Sequence, residues 1–400
     1  VTPPMRIALI ASNQFPIRQP FAGGLEAHVW HLARDLTAAG HRVSLFAAPD
    51  SDPGLDCSHL QVRTLELSTA ALADSSTPSA SFMADHHAYL TLMLRLARNG
   101  GDEFDVIHNH SLHHLPVAMA PALSTPMLCS LHTPPTPWLE SAICATAGSG
   151  ARFAAVSAYT ACSWRHLLSD ITVVRNGVDG QRWPLGPGGS DLVWFGRITP
   201  EKAPHLAIAA ARRAGMSLVI AGPISDVDYF VRDVQPFLGA AVRYAGHLPH
   251  RELAELVGKS AAALVTPTWD EPYGLVVAEA MMCGTPVVAF ARGGIPEIVD
   301  SLGGRLVPPD DVTSLAEAIP EVLALSRAAV RTQAIRRCSA ASMVTDYLDI
   351  YRDVIDDRGR IDADDRLLHP SPWHRTSQPG SEHLHTPRYP GHRIDVAEAG

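Results

Sequence analysis

Short, strand-like apolar runs alternate with longer amphipathic ones along this chain, and the alternation breaks once and restarts. Arg6–Ala11 reads as a buried strand, followed by Gly23-Gly24 and a helix through about Ala39 that Gly40 ends. Strand-like runs recur at Arg42–Ala48, Asp105–His108, Met127–Leu131, Phe153–Val156 and Ile171–Val174, with a helical stretch at His87–Arg98. Trp183-Pro-Leu-Gly-Pro-Gly-Gly-Ser190 reads as a linker, because Pro and Gly at that density support neither element. The rhythm resumes with Leu192–Phe195, a helix from about Ala203 to Ala214, Ser217–Ala221, Val242–Ala245, a helix at Arg251–Gly258, Ala262–Val265, a helix at Leu275–Met282 and Pro286–Phe290. Apolar strands separated by helices predict parallel sheets covered on both faces. The expected architecture is α/β, with two doubly wound Rossmann-like domains facing each other across a cleft.

The expected boundaries are a first domain over 1–182, the linker over 183–190 and a second domain over 191–340. A closing amphipathic helix is expected over 341–357, and a disordered or loosely packed tail over 358–400. A chain of 400 residues is comfortable as two domains. A formal net charge of -9 argues against a general nucleic-acid binder, which needs a basic face, and gives no strong membrane signal. None of the six cysteines forms a C-x-x-C pair, so reduced thiols and a cytoplasmic location are expected. Residues 1–10 read as a lead-in to the first strand rather than a signal peptide, and no segment approaches a membrane span. The 20 histidines contain no H-E-x-x-H. His108, His110, His113 and His114 are the one grouping that suggests zinc, and no metal is expected there.

Two glutamates carry the chemistry. Glu271 lies in a Pro/Gly-bearing turn and Glu279 eight positions on, along the apolar helix that follows. At 3.6 residues per turn that spacing places two positions within roughly 80° of each other, so both acids can reach one cleft. The turn also offers free N–H groups at a helix N-terminus. Carboxylates for hydroxyls beside amides for phosphates suit a polyhydroxylated, phosphorylated small molecule. Gly23-Gly24, between a strand and a helix, lets a ligand approach backbone amides. Gly196-Arg197 ends the first strand of the second domain, and Lys202 follows five residues later, so two cations can neutralise a diphosphate. His132 lies just past a strand, and His108 or His110 could reach the same edge.

Together these pieces resemble glycosyltransferase family 4, retaining enzymes of the GT-B fold. The resemblance extends to about residue 356 and is strongest from Asp270 to Val307. There Glu271-Pro-Tyr-Gly-Leu275, Glu279-Ala280, Cys283-Gly-Thr-Pro-Val-Val288 and Gly293-Gly-Ile-Pro-Glu-Ile-Val299 are similar to the family's donor-binding signature. The resemblance implies that Glu271 contacts the donor sugar, that the loop at Tyr273, Gly274 and Leu275 supports sugar and phosphate, and that Glu279 holds the ribose. It assigns Gly196, Arg197 and Lys202 to a diphosphate clamp, Gly23 and Gly24 to a phosphate loop, and His132 to the reacting centre. Ser157 and Asn176-Gly-Val-Asp179 match inter-domain motifs. Ala203 stands where the family often has Gly.

The implied reaction moves a hexosyl group from a nucleotide diphosphate sugar, UDP- or GDP-linked, with retained configuration and no metal or other cofactor. Alternatives are a GT-B epimerase, a phosphorylase, or a non-catalytic sugar-nucleotide-binding protein. A nicotinamide oxidoreductase is disfavoured, because Gly-x-Gly-x-x-Gly is absent after the first strand. The acceptor is unread: small molecule, glycan and lipid-linked acceptors all stay open. Residues 50–104 and 134–150 carry no signature that reports on it.

Overall fold

The computed structural model describes residues 3–60, 65–76 and 78–368, with side chains as far as Arg358. Its first lobe holds seven parallel strands: β1 (Arg6–Ile10), β2 (Arg42–Ala47), β3 (Cys57–His59), β4 (Val106–Asn109), β5 (Met127–Leu131), β6 (Ala151–Ala155) and β7 (Thr172–Val173), in the order β3-β2-β1-β4-β5-β6-β7. The second lobe holds β8 (Leu192–Phe195), β9 (Leu218–Ala221), β10 (Val242–Tyr244), β11 (Ala262–Val265), β12 (Val287–Phe290) and β13 (Gly304–Val307), in the order β10-β9-β8-β11-β12-β13. In both sheets the strand order reverses beside the first strand, between β1 and β4 and between β8 and β11. These are the switch points at which open parallel sheets bind ligands.

The central strands are largely apolar because both faces are covered, while edge strands such as Cys57–His59 and Gly304–Val307 carry polar residues. Ile7 and Leu9 of β1 pack with one cluster, Ala8 and Ile10 with another on the opposite face. In β8, Leu192 and Trp194 share one core while Val193 and Phe195 share the other. A period of two with every position buried is the signature of a doubly covered sheet.

The last described helix, Ala340–Leu368, runs past residue 357, where the sequence reading ends it. Met343, Tyr347, Ile350, Tyr351 and Val354 recur at helical spacing, and all are buried in the first lobe's core with Ile7 and Leu9. The chain enters this helix where Val178 N–H donates to Cys338 O at 2.7 Å. A Cβ on Gly177 would lie 2.4 Å from Ala340 Cα, so the crossing needs glycine there. The expected tail lies outside the described residues from 369 onward.

The Pro/Gly segment after Trp183 is laid tightly on the second lobe. Gly186 N–H donates to Cys283 O at 3.0 Å and Gly188 N–H to Gly258 O at 3.0 Å. Arg327 reaches Gly186 O, Gly258 O, Ser260 O and Cys283 O with one guanidinium. The helix expected at His87–Arg98 is longer, Ala80–Glu103, because Ser79 caps it by accepting from Phe82 N–H. All six cysteines are unpaired. Among the described residues, no helix is long and apolar enough to cross a membrane.

Candidate active site

The residues that the resemblance assigns to the donor and the reacting centre line one cavity between the two sheets' carboxyl edges, while His108, His110 and Ser157 do not line it. Gly23, Gly24 and His132 come from the first lobe, and Gly196, Arg197, Lys202, Glu271, Tyr273, Gly274, Leu275 and Glu279 from the second. The cavity measures about 280 Å³.

Two helix N-termini open into it. The Gly24–Ala38 and Leu275–Met282 helices both start at glycines, Gly23 and Gly274, and neither has a side-chain cap bond. Their first amides are left for a ligand, and each helix end carries about half a positive charge. Gly274 has φ +98°, and a Cβ there would lie 2.9 Å from Ile295 Cγ1. Gly23 is extended, so space rather than φ selects it: a Cβ would lie 3.0 Å from a Glu26 carboxylate oxygen and 3.8 Å from Arg197 Cδ. A Cβ on Gly24 would touch Leu275 at 3.6 Å, so the two helix starts meet across the lobes.

Glu271 is the most firmly held side chain of the set. Lys202 Nζ lies 2.5 Å from its Oε2, and Trp269 Nε1 donates to the same oxygen at 3.0 Å. The ammonium also sits 5.0 Å from the Trp269 ring centroid. Gly294 N–H donates to Glu271 O at 2.7 Å, and Gly293 must be glycine, because its φ is +58° and a Cβ would lie 2.1 Å from that carbonyl. The first lobe braces the turn as well: Ser157 Oγ donates to Pro272 O at 2.5 Å and Tyr159 OH to Asp270 at 2.6 Å. Tyr273 is buried and donates to Asn176 O at 2.8 Å, so its hydroxyl ties the two lobes together. Ala203, after Lys202, has φ 49° and ψ 54°, a left-handed conformation that explains the preference for glycine in similar chains.

Glu279 has no hydrogen-bond partner for its carboxyl among the described residues, and burial pushes it up to about 8. Arg197 is half-exposed, 3.7 Å from Glu201 and beside Gly23. Gly196 has φ +148°, and its N–H donates to Ala221 O at 3.0 Å where β8 and β9 end together.

Two residues here were missed in the sequence. Glu26, in the first turn after Gly23-Gly24, is buried; burial raises its carboxyl, while its own backbone N–H and then Arg197 draw it back. His28, two residues on, packs against a string of imidazoles, its ring 5.2 Å from that of His110 and 5.1 Å from that of His132. His132 Nε2 and His110 Nδ1 lie 3.0 Å apart, and His110 Nε2 and His108 Nδ1 3.1 Å. His108 ends the string on Tyr351 OH at 2.6 Å and Ser130 Oγ at 2.8 Å. Burial lowers all four rings, His28 to about 4, so the string is neutral at pH 7. An acid and a histidine in the turn after a Gly-Gly helix start were the available signal. The grouping of His108, His110, His113 and His114 does not persist: His110 gathers with His28 and His132, and His113 and His114 gather with His86.

Residues 22–182 match the family model for Glycosyltransferase Family 4, and residues 181–337 that for Glycosyl transferases group 1. A glycogen synthase of Mycobacterium tuberculosis is 32% identical over 360 residues, spanning 80% of this chain and 86% of the relative. A D-inositol 3-phosphate glycosyltransferase of Mycolicibacterium smegmatis is 28% identical over 430 aligned positions, covering 94% of this chain and 95% of the relative. The crystal structure of Anabaena HepE in complex with UDP-glucose superposes with a TM-score of 0.67 at 18% identity, covering 87% of this chain and all of that one. The chain therefore belongs to the glycosyltransferases of family 4, with their two-lobed GT-B fold.

Proposed function

We propose that this glycosyltransferase moves a hexosyl group from a UDP- or GDP-sugar to its acceptor with retained anomeric configuration and without a metal ion. The observation that carries this reading is the placement of Arg197 and the Lys202–Glu271 pair between two uncapped helix N-termini, with Glu279 on the same wall. The complex of HepE with UDP-glucose supports a nucleotide-sugar donor for this arrangement.

In the proposed reaction the bond from the anomeric carbon to the β-phosphate oxygen breaks, and its electron pair stays on the diphosphate. The acceptor oxygen attacks the same face, and its proton passes to the departing phosphate oxygen. Arg197, Lys202 and the helix amides stabilise the growing negative charge, the role a metal would otherwise fill. Glu271 holds sugar hydroxyls, Glu279 the ribose hydroxyls, and His132 serves as a neutral hydrogen-bonding group at the sugar.

The test begins with thermal shifts for UDP, GDP, ADP and their sugar conjugates in EDTA, since a ligand of the native state raises stability by mass action. Stabilisation by a uridine or guanosine diphosphate is expected, followed by transfer of labelled sugar with its configuration kept. Loss of binding or turnover in EDTA would contradict the metal-free reading. Donor turnover without acceptor would indicate an epimerase, a phosphate requirement a phosphorylase, and binding without transfer a non-catalytic protein.

A further inference from the structure

The two βα loops that carry His110 and His132 continue into a second group of side chains that the donor site does not use. After His110 come His113 and His114, at the start of the His114–Met119 helix; after His132 comes Trp138, in the first turn of the Pro137–Thr146 helix. The N-terminal half of the Ala80–Glu103 helix adds Phe82, His86 and Tyr89. Their rings form a continuous array. Tyr89 stacks on His113 at 4.4 Å, His113 on His114 at 4.4 Å, and His114 on Trp138 at 5.0 Å with 25° between planes. Phe82 lies 5.9 Å from Trp138, and His86 stacks on Phe82 at 6.2 Å. Trp138 is 60% exposed, although its ring is fixed from two sides.

We propose that this aromatic shelf is the acceptor subsite and that it takes a neutral carbohydrate, a glycan end rather than a phosphorylated acceptor. A pyranose presents an apolar C–H face and a rim of hydroxyls, which matches an exposed indole held between Phe82 and the imidazole of His114. The stacked imidazoles of His113 and His114 are hydrogen-bonding groups, and the charged side chain whose field reaches the shelf, at Tyr89, is the carboxylate of Asp85. Burial lowers His113 to about 4 and also lowers His114, and the neighbours whose fields act on these two rings are imidazoles, with no Lys or Arg among them. An anionic acceptor would find no counter-charge there.

Three imidazoles also have the ligand count of a metal site, but the tautomer opposes it. His113 Nδ1 accepts the Leu115 N–H at 3.2 Å, which puts the ring's proton on Nε2 and makes that atom a donor.

Only the role as acceptor subsite rests on the transfer reading; carbohydrate binding itself does not. The experiment titrates the full chain with maltohexaose, cellohexaose and mannohexaose, following tryptophan fluorescence, and compares D-inositol 3-phosphate. One neutral oligosaccharide is expected to bind, with Trp138→Ala weakening it at least 5-fold and leaving UDP and GDP binding unchanged. In a transfer assay the same variant should raise acceptor KM by a similar factor, with donor KM held. His114→Phe, which keeps the stack and removes the polar atoms, should lower affinity for the oligosaccharide. The proposal is overturned if none of the three binds, if Trp138→Ala binds as well as the parent, or if D-inositol 3-phosphate is the better ligand. A failure of the donor reading would appear separately, as no nucleotide binding by the parent chain.

Discussion

Glu279 gives the most exacting test of the cavity. Its carboxyl has an ordinary value of 4.5 and is pushed to about 8 by burial alone. Between those two values the folded chain keeps a proton that the unfolded chain has lost, so stability falls as pH rises through the window. Below it both states are protonated, and above it both are ionised with the full penalty in place. The slope is about 1.4 kcal/mol per pH unit, which sets an upper bound of about 5 kcal/mol. Access of water to the cavity mouth reduces this to about 2 kcal/mol. Glu279→Gln removes the ionisation while keeping the shape. The variant should be about 2 kcal/mol more stable than the parent at pH 9 and nearly equal to it at pH 5, read from urea midpoints. A difference that is the same at both pH values would refute the burial argument. Glu279→Ala should weaken nucleotide binding by about 5- to 50-fold, the worth of one or two hydrogen bonds between a neutral carboxyl and a diol. An unchanged Kd would refute the ribose role.

Lys202→Ala should lower kcat by about 10²- to 10³-fold, the usual loss for one transition-state donor, measured by steady-state transfer kinetics; an unchanged kcat would remove Lys202 from the clamp. Gly274→Ala should destabilise the fold by about 1–3 kcal/mol, because φ +98° and Ile295 both oppose a Cβ; denaturation reads it, and a neutral result would count against the geometry. Tyr351→Phe should cost about 1–3 kcal/mol by leaving His108 Nδ1 with a poorer partner, again by denaturation. It should also lower turnover, since His108 orients His110 and thereby His132.

Most strands of both sheets were legible because strands buried on both faces spell themselves as apolar runs, and the restart after Ser190 marks a second copy of the same architecture; Cys57–His59 and Gly304–Val307 were not, because they carry polar residues. Glu271, Lys202, Arg197 and the glycine pairs were legible for a related reason: each follows a strand's carboxyl end, and the fold brings those ends together. Glu26 and His28 were not legible, because within an amphipathic helix a buried acid and a buried histidine look like face residues until the opposing lobe is known. The imidazole string was hidden for a stronger reason. Its anchor, Tyr351, is 243 positions from His108, and nothing local to Tyr351 marks it as more than a core residue of the closing helix. The left-handed turn at Ala203 was invisible because alanine seldom signals that conformation.

The charge layout of the cavity explains how an acidic chain can serve an anionic donor. The whole molecule carries a formal charge of -9. Within the cavity the balance is reversed. Arg197 and Lys202 contribute one positive charge each, and the two facing helix ends together contribute about one more. Glu271 cancels one, Glu279 is held neutral near pH 7, and Glu26 is drawn toward its neutral form. The remainder is about +1 to +2, close to what a diphosphate needs. Two like-signed helix ends facing each other are unfavourable until an anion lies between them. Glu26 already moderates the first-lobe end, its carboxylate standing 3.0 Å from where a Gly23 Cβ would be. A bound diphosphate would satisfy this local positive field and would disfavour ionised Glu26. Replacing Glu26 by Gln should therefore tighten diphosphate binding, and tightening should be greater at low ionic strength, where unscreened charges act over longer range.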